Sequence, residues 1–346
     1  MTISDGDATR AGIPEAPGPG QAVAIRPGLL WIRMPLEGPP WHVNCWLLRD
    51  GAGWLLVDAG INRPATRLAW DSIFAEYLEG LPVTRVLVTH FHADHVGLAG
   101  WICDRWDAPL LMARSEYLQA RLLLLEDPAS LITEQAALGQ QAGAPPEYLR
   151  HVLGRRPFYR PDVVPLPLRH RRIAAGQVLR VGDADWTLHV GRGHAPEMML
   201  LHGRDAGVLI AADQVLPRIS PYVGVFPPEP EADPLADFLD SNHRLLALPE
   251  DTLVLPSHGD PFFGLHERIK VLAAHHAERL ALLEAICVQP RTAYEAARLM
   301  FQRDYDLDQI LFVIGEGLAH LNWLVARGRL LREAGADGVT RYRCPG

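Results

Sequence analysis

A chain of 346 residues, 48% of them hydrophobic, is long enough for a large buried core and a second small domain, which excludes a disordered protein. Its 33 basic and 41 acidic residues leave a formal charge of -8, so no general positive field exists to hold a nucleic-acid backbone or an anionic membrane. No apolar run approaches the roughly 18 residues of a membrane span, and Cys45, Cys103, Cys287 and Cys344 show no CxxC spacing, so a reducing cytoplasm is the expected location.

Residues 1–22 carry Asp5, Asp7 and Glu15 among Gly and Pro, without the basic start and apolar run of a secretory signal, and are expected to form a mobile tail. From residue 22, AVAI, LLWIRM and NCWLLRD predict strands, and a Gly51-Ala52-Gly53 turn before WLLVDAG predicts a hairpin. Pro64 suits a first helical turn, and Trp70, Ile73, Phe74, Tyr77 and Leu78 trace the apolar stripe of the helix that follows. TRVLVTH reads as a strand buried beneath helices and delivers the chain into HFHADH. HVGLAGWICDRW reads as helix and APLLMA as strand, an alternation that implies an α/β sandwich.

Residues 115–165 break this rhythm with two helical patterns and a Pro- and Arg-rich stretch, expected as a helical insertion over the site. Strands return from Gly176 through WTLHV, MMLLH, GVLIAAD and TLVLPSH, each ending near a polar residue. A long helix is predicted from Leu265 to about Ala285. The remainder reads as two helices, about 292–301 and 308–326, followed by a hairpin, which suggests a winged helix over 284–346 after a catalytic domain over 23–283.

His90, His92, Asp94 and His95 follow directly after a predicted strand. That density of imidazole and carboxylate donors suits zinc or a similar divalent ion. In an extended turn positions 90 and 92 can face one ion, while 94 and 95, on the next bend, can face another. A merely polar strand-to-helix turn, with Asp94 capping the helix, would not need three histidines. His194, Asp213 and His258 each stand just after an apolar strand and can complete two metal shells.

THFHADHVG resembles the HxHxDH signature of the metallo-β-lactamase superfamily, preceded by a strand ending in an aspartate, here Asp58 of LLVDAG. The resemblance covers residues 23–280 and implies an αββα sandwich. It also implies that His90, His92 and His194 hold a first metal, that Asp94, His95 and His258 hold a second, and that Asp213 bridges them. Two zinc ions are the expected cofactors, with Mn2+ or Fe2+ as alternatives. The order of GHAPE, AADQVLPRIS, LPSHGDPFFG and the C-terminal helices looks like the branch of lactamase-like endoribonucleases and thioesterases. HAPEM stands where the family often has HTPGH, so substrate contacts are expected to differ. Asp213 at the bridging position argues against an antibiotic-degrading enzyme, and Ala93 argues against a diiron flavoprotein, which usually has Glu there.

Two divalent ions about 3.5 to 4 Å apart bring the pKa of a water between them near neutrality, so hydrolysis without a protein nucleophile is expected, with Asp94 orienting the water and relaying its proton. Asp58 is expected to accept the free ring N–H of a ligand histidine and fix its tautomer, the alternative being an ordinary strand-end turn.

Arg150, Arg155, Arg156 and Arg160, with His151, could grip the phosphates of a coenzyme A tail or an RNA backbone, or form a solvated surface. Ile219 and Tyr222, with Val223 and Phe226, could line an acyl pocket or pack in the core. Leu118, Leu122 and Leu125 read as plain packing, with a hydrophobic lid as the alternative. The remaining histidines, His42 among them, are read as surface or core residues. The segment 284–346 carries eight arginines and eight carboxylates, too balanced for a nucleic-acid face, and is read as scaffold, homodimer contact or cleft wall. The expected activity is hydrolysis of a small-molecule thioester, ester or lactone, acyl-coenzyme A included. A single-strand endoribonuclease and a non-catalytic metal-binding module are the alternatives.

Overall fold

The computed structural model describes residues 12–155, 159–302 and 305–346, and these divide into two compact units. Of the described residues, the first comprises 12–125, 159–221 and 244–268; the second comprises 126–155, 222–243, 269–302 and 305–346.

The first unit is built on two sheets. One has the strands β1 (Ala22–Arg26), β2 (Leu29–Pro35), β3 (His42–Arg49), β4 (Trp54–Val57), β5 (Val83–Leu87), β6 (Leu110–Met112) and β7 (His170–Arg172) in sequential order. Its first four strands pair antiparallel, and β4 to β7 run parallel. The other sheet has β8 (Val178–Val181), β9 (Ala184–Gly191), β10 (Met198–Gly203), β11 (Val208–Ala212) and β12 (Leu253–Pro256), with β11 and β12 parallel. Period-2 alternation sends Trp31, Trp46, Leu55 and Val57 from the first sheet and Leu188, Met199, Leu201 and Leu255 from the second into one shared core, so the sheets face one another. Helices α1 (Pro64–Glu76), with its proline in the first turn, α2 (Ala93–Val96), α3 (Ala99–Trp106) and α4 (Arg114–Leu125) connect the parallel strands of the first sheet. This is the mixed α/β architecture expected from the alternation of strands and helices. The helix read over HVGLAGWICDRW is interrupted between α2 and α3, where the Gly97 Cα lies so close to the carbonyls of Ala93 and Gly60 that no Cβ would fit.

Residues 115–165, read as one insertion, divide between the units. The helices α5 (Pro128–Gln141) and α6 (Pro146–Leu153) lie in the second unit, whereas α4 and α7 (Tyr159–Asp162) lie in the first. Each of α5 and α6 starts on a proline, which is why a Pro-rich stretch carries an additional helix. The helix α8 (Pro234–Leu245) was not expected, although its signal is present: the Asp233 carboxylate accepts the Ala236 amide at 3.1 Å just ahead of Pro234. The helix α9 (Leu265–Ile286) matches the long apolar pattern read there.

Within the second unit, α10 (Ala293–Phe301) opens with a Thr292/Glu295 capping box, and Ala297 meets α11 (Ile310–Ala326) at Gly317, where an added Cβ would lie 2.6 Å away. Short strands β13 (Arg291–Thr292), β14 (Leu331–Ala334) and β15 (Thr340–Arg343) form a sheet in the order β13-β15-β14. The Tyr294 amide donates to the Ala142 carbonyl at 2.9 Å, joining the end of α5 to the start of α10. Among the described residues no helix is long and apolar enough to cross a membrane.

Candidate metal centre

The site stands at one edge of the first unit, where strands of both sheets end. Asp58 follows β4, His90 to His95 follow β5, His194 lies between β9 and β10, Asp213 follows β11, and His258 follows β12. Two backbone distortions aim these groups. Asp58 adopts a left-handed φ of 63° and Ala212 one of 45°; for a residue with a Cβ this costs roughly 1–2 kcal/mol. The pairing of β11 with β12 shifts register between Ile210 and Ala212, a bulge that turns Asp213 out of the ladder.

His90, His92, His194 and Asp213 form one group of converging donor atoms, and Asp94, His95 and His258 form another. Asp213 spans both. Its Oδ2 lies 3.2 Å from His194 Nε2, 3.8 Å from His90 Nε2 and 3.6 Å from His95 Nε2, while its Oδ1 lies 3.5 Å from His258 Nε2. Asp94 Oδ2 stands 3.6 Å from His95 Nε2 and 3.5 Å from His258 Nε2. Most of these separations are too long for hydrogen bonds. Two ligands each about 2.1 Å from a tetrahedral ion would be about 3.4 Å apart, so the spacing is that of coordination-shell edges. His95 Nε2 and Asp213 Oδ1 are buried without a hydrogen-bond partner, a cost that a cation would remove. The donor set therefore fits divalent ions.

The imidazole tautomers are fixed from behind. Asp58 Oδ2 accepts from His95 Nδ1 at 2.8 Å, and the same carboxylate accepts the Thr89 amide at 2.8 Å and the Thr89 hydroxyl at 2.9 Å. Because the Thr89 hydroxyl donates to Asp58, its lone pair accepts from His90 Nδ1 at 3.0 Å. His258 Nδ1 donates to the His42 carbonyl at 2.7 Å. In all three rings Nδ1 is engaged away from the site and Nε2 faces it.

Burial and the neighbouring histidines hold His90 and His92 well below the usual imidazole range. Burial also disfavours charge on His95 and His258, but Asp94, Asp58 and Asp213 raise His95, and Asp213 and Asp94 raise His258. Asp213 is pulled down by His258 and His95 against the effect of burial. Coordination needs the neutral ring, so at these two raised groups, His95 and His258, a divalent ion competes with protons and its affinity falls with falling pH. Binding is accordingly expected to release protons. Calorimetry in two buffers of different ionisation enthalpy checks this, and buffer-independent heats would contradict it.

Several supporting residues were not legible. His42, read as an ordinary histidine, supplies the carbonyl for His258, and its Nε2 accepts the Gly259 amide at 3.1 Å. Burial, chiefly, and then Arg33 push its pKa down to about 4, which keeps that acceptor neutral. Asn44 donates to the carbonyls of Pro256 and Gly259, and Arg33 bonds Gly259 and Asp260, so β2 and β3 clamp the His258 loop. Glu116 is fully buried, and burial pushes its carboxyl up to about 7 against two amide donors.

The expected substrate contacts are distributed differently. Arg150 is exposed on α6. Arg155 donates to the Asp308 carboxylate at 2.5 Å, which His151 shares at 2.8 Å, both within the second unit. Arg160 is an exposed residue of α7 in the first unit, and Arg156 lies outside the described residues. Tyr222 packs edge-on against Phe312 in the second unit, with ring centroids 5.3 Å apart. Ile219 is exposed in the first unit, where its carbonyl accepts from Arg268 at 2.7 Å. Leu118, Leu122 and Leu125 do not pack as expected but stand exposed, because α4 buries Glu116, Tyr117 and Ala120 instead.

Residues 38–258 match the Metallo-beta-lactamase superfamily, and residues 280–345 match the family described as Metallo-beta-lactamase-like, C-terminal domain. Among solved structures, a beta-lactamase domain protein from Burkholderia ambifaria is 41% identical, with 96% of this chain and 97% of that one covered and a TM-score of 0.85. A metallo-beta-lactamase family protein from Thermus thermophilus is 30% identical, with coverage of 93% and 100% and a TM-score of 0.78. A Bacillus subtilis (strain 168) protein named as a probable metallo-hydrolase is 23% identical over 300 residues, 85% of this chain and 91% of that protein.

Proposed function

Given that the chain belongs to the metallo-beta-lactamase superfamily, we propose that it hydrolyses a small-molecule thioester, ester or lactone with two zinc ions held by the seven residues above. The observation that carries the reading is the position of Asp213, whose two oxygens face both histidine groups. When bound, such ions supply an activated water near neutral pH and a Lewis-acid grip on the substrate oxygen. His90, His92 and His194 would hold one ion, Asp94, His95 and His258 the other.

Asp94 is the carboxylate placed to move a proton. Its side chain is 24% exposed, against 7% for Asp213, so it meets solvent while Asp213 stays enclosed. The Asp58 hydrogen bond holds the His95 ring in register beneath it.

The charge of -8 supports a small substrate over an RNA strand, as does the use of Arg155 in an internal ion pair with Asp308. The C-terminal order of strand, two helices and hairpin supports a winged-helix-type unit, whose eight arginines are matched by eight carboxylates. A panel of a nitrophenyl ester, acyl-coenzyme A thioesters, a lactone and a labelled single-stranded RNA, with Asp94→Ala as control, tests the reading. Turnover of a small acyl substrate is expected and should be lost in the control; cleavage of RNA alone at moderate salt would overturn it.

A further inference from the structure

Three of the histidines come from two separate loops, and nothing in the metal set itself fixes the spacing of those loops. Glu116, near the start of α4, touches both. Its Oε2 accepts the Phe91 amide at 3.0 Å, and its Oε1 accepts the Glu197 amide at 2.5 Å. Phe91 lies between His90 and His92, and Glu197 lies three residues after His194. The carboxylate is fully buried and accepts from two backbone amides. Those two hydrogen bonds offset part of the cost of taking it out of water.

The surroundings brace the same two loops. The Tyr159 hydroxyl donates to the Phe91 carbonyl at 2.6 Å, so that residue is held on both its amide and its carbonyl side. The Ser115 hydroxyl donates to Glu197 Oε2 at 3.1 Å, tying that loop to α4 a second time. A carboxylate is the side chain suited to this position, because it offers two acceptor oxygens in a rigid fork. Glutamine offers one acceptor and would turn its NH2 toward an N–H donor. Aspartate keeps the fork but is one methylene shorter.

We infer that Glu116 is a positioning residue: its buried carboxylate joins the His90–His92 turn to the His194 loop and sets the distance at which those three histidines close on one ion. This rests on the two-ion centre proposed above. Loss of a residue that orients metal ligands costs about 10- to 100-fold in metal affinity. Glu116 touches only one of the two donor groups through its loops, so the loss should fall on one ion.

The test is a chelator competition with Zn2+ on the full chain, resolving two binding steps, with circular dichroism of the metal-free protein as a folding control. Glu116→Gln is expected to weaken one step about 10- to 100-fold and leave the other within about threefold. Asp58→Asn, which loosens His95 directly and His90 through Thr89, is expected to weaken both steps. Should Glu116→Gln fail to fold, Glu116→Asp gives the same selective loss in a folded protein. Two unchanged steps in folded Glu116 variants, or equal weakening of both, would overturn the inference and leave the two-ion reading intact. A wild-type chain that takes up no Zn2+ would overturn both.

Discussion

Asp213→Ala is expected to lower hydrolytic activity by well over a hundredfold and to reduce the bound metal to at most one weakly held ion. Removing even a residue that only orients a ligand costs about 10- to 100-fold, and Asp213 faces His90, His194 and His95 with one oxygen and His258 with the other. Alanine at this position removes the shared member of both groups. It also takes from His258 the largest source of its raised pKa, and from His95 a source that ranks after Asp94 and Asp58, so both rings become easier to deprotonate. Metal analysis and steady-state kinetics on the purified variant measure the effect. Two tightly held ions with near-normal turnover would show that Asp213 is not the shared ligand.

Stripping the divalent ions is expected to lower thermal stability as well as activity, and to do so reversibly. An ion that binds the folded chain alone contributes about 4 kcal/mol when its free concentration is a thousand times its Kd. For a unit of this size that is on the order of 10 °C in Tm. The physical source lies in the site: Asp213 Oδ1 and His95 Nε2 are buried without hydrogen-bond partners, and the Asp58 and Asp213 side chains are enclosed with them. Calorimetric scans before and after chelation, and again after zinc is restored, measure it. A Tm unmoved by chelation, with no ion recovered in the chelator, would contradict a metal-completed core.

The candidate metal residues were legible because each is local in its signal. His90 to His95 form one dense run behind β5, and His194, Asp213 and His258 each stand just beyond an unbroken apolar strand. Strand order then fixes where they meet. What supports them was not legible, because it depends on partners far apart in sequence. Glu116 has the appearance of a solvent-facing helical acid, yet its partners are the amides of Phe91 and Glu197. His42 acts partly through its backbone carbonyl, which no side-chain pattern can reveal. Arg155 looked like part of a phosphate-gripping cluster, but Asp308, 153 residues away, takes up its guanidinium. The placing of 126–155 with the C-terminal residues in one unit is likewise a long-range pairing, joined at Ala142 and Tyr294.

The most direct test of the two-ion centre is an anomalous difference map from crystals grown with Zn2+ and measured at the zinc edge. Two peaks are expected, one among His90, His92 and His194 and one among Asp94, His95 and His258, each within coordination distance of an Asp213 oxygen. A map with no peak at these residues, or with a single peak that Asp213 does not touch, would contradict it.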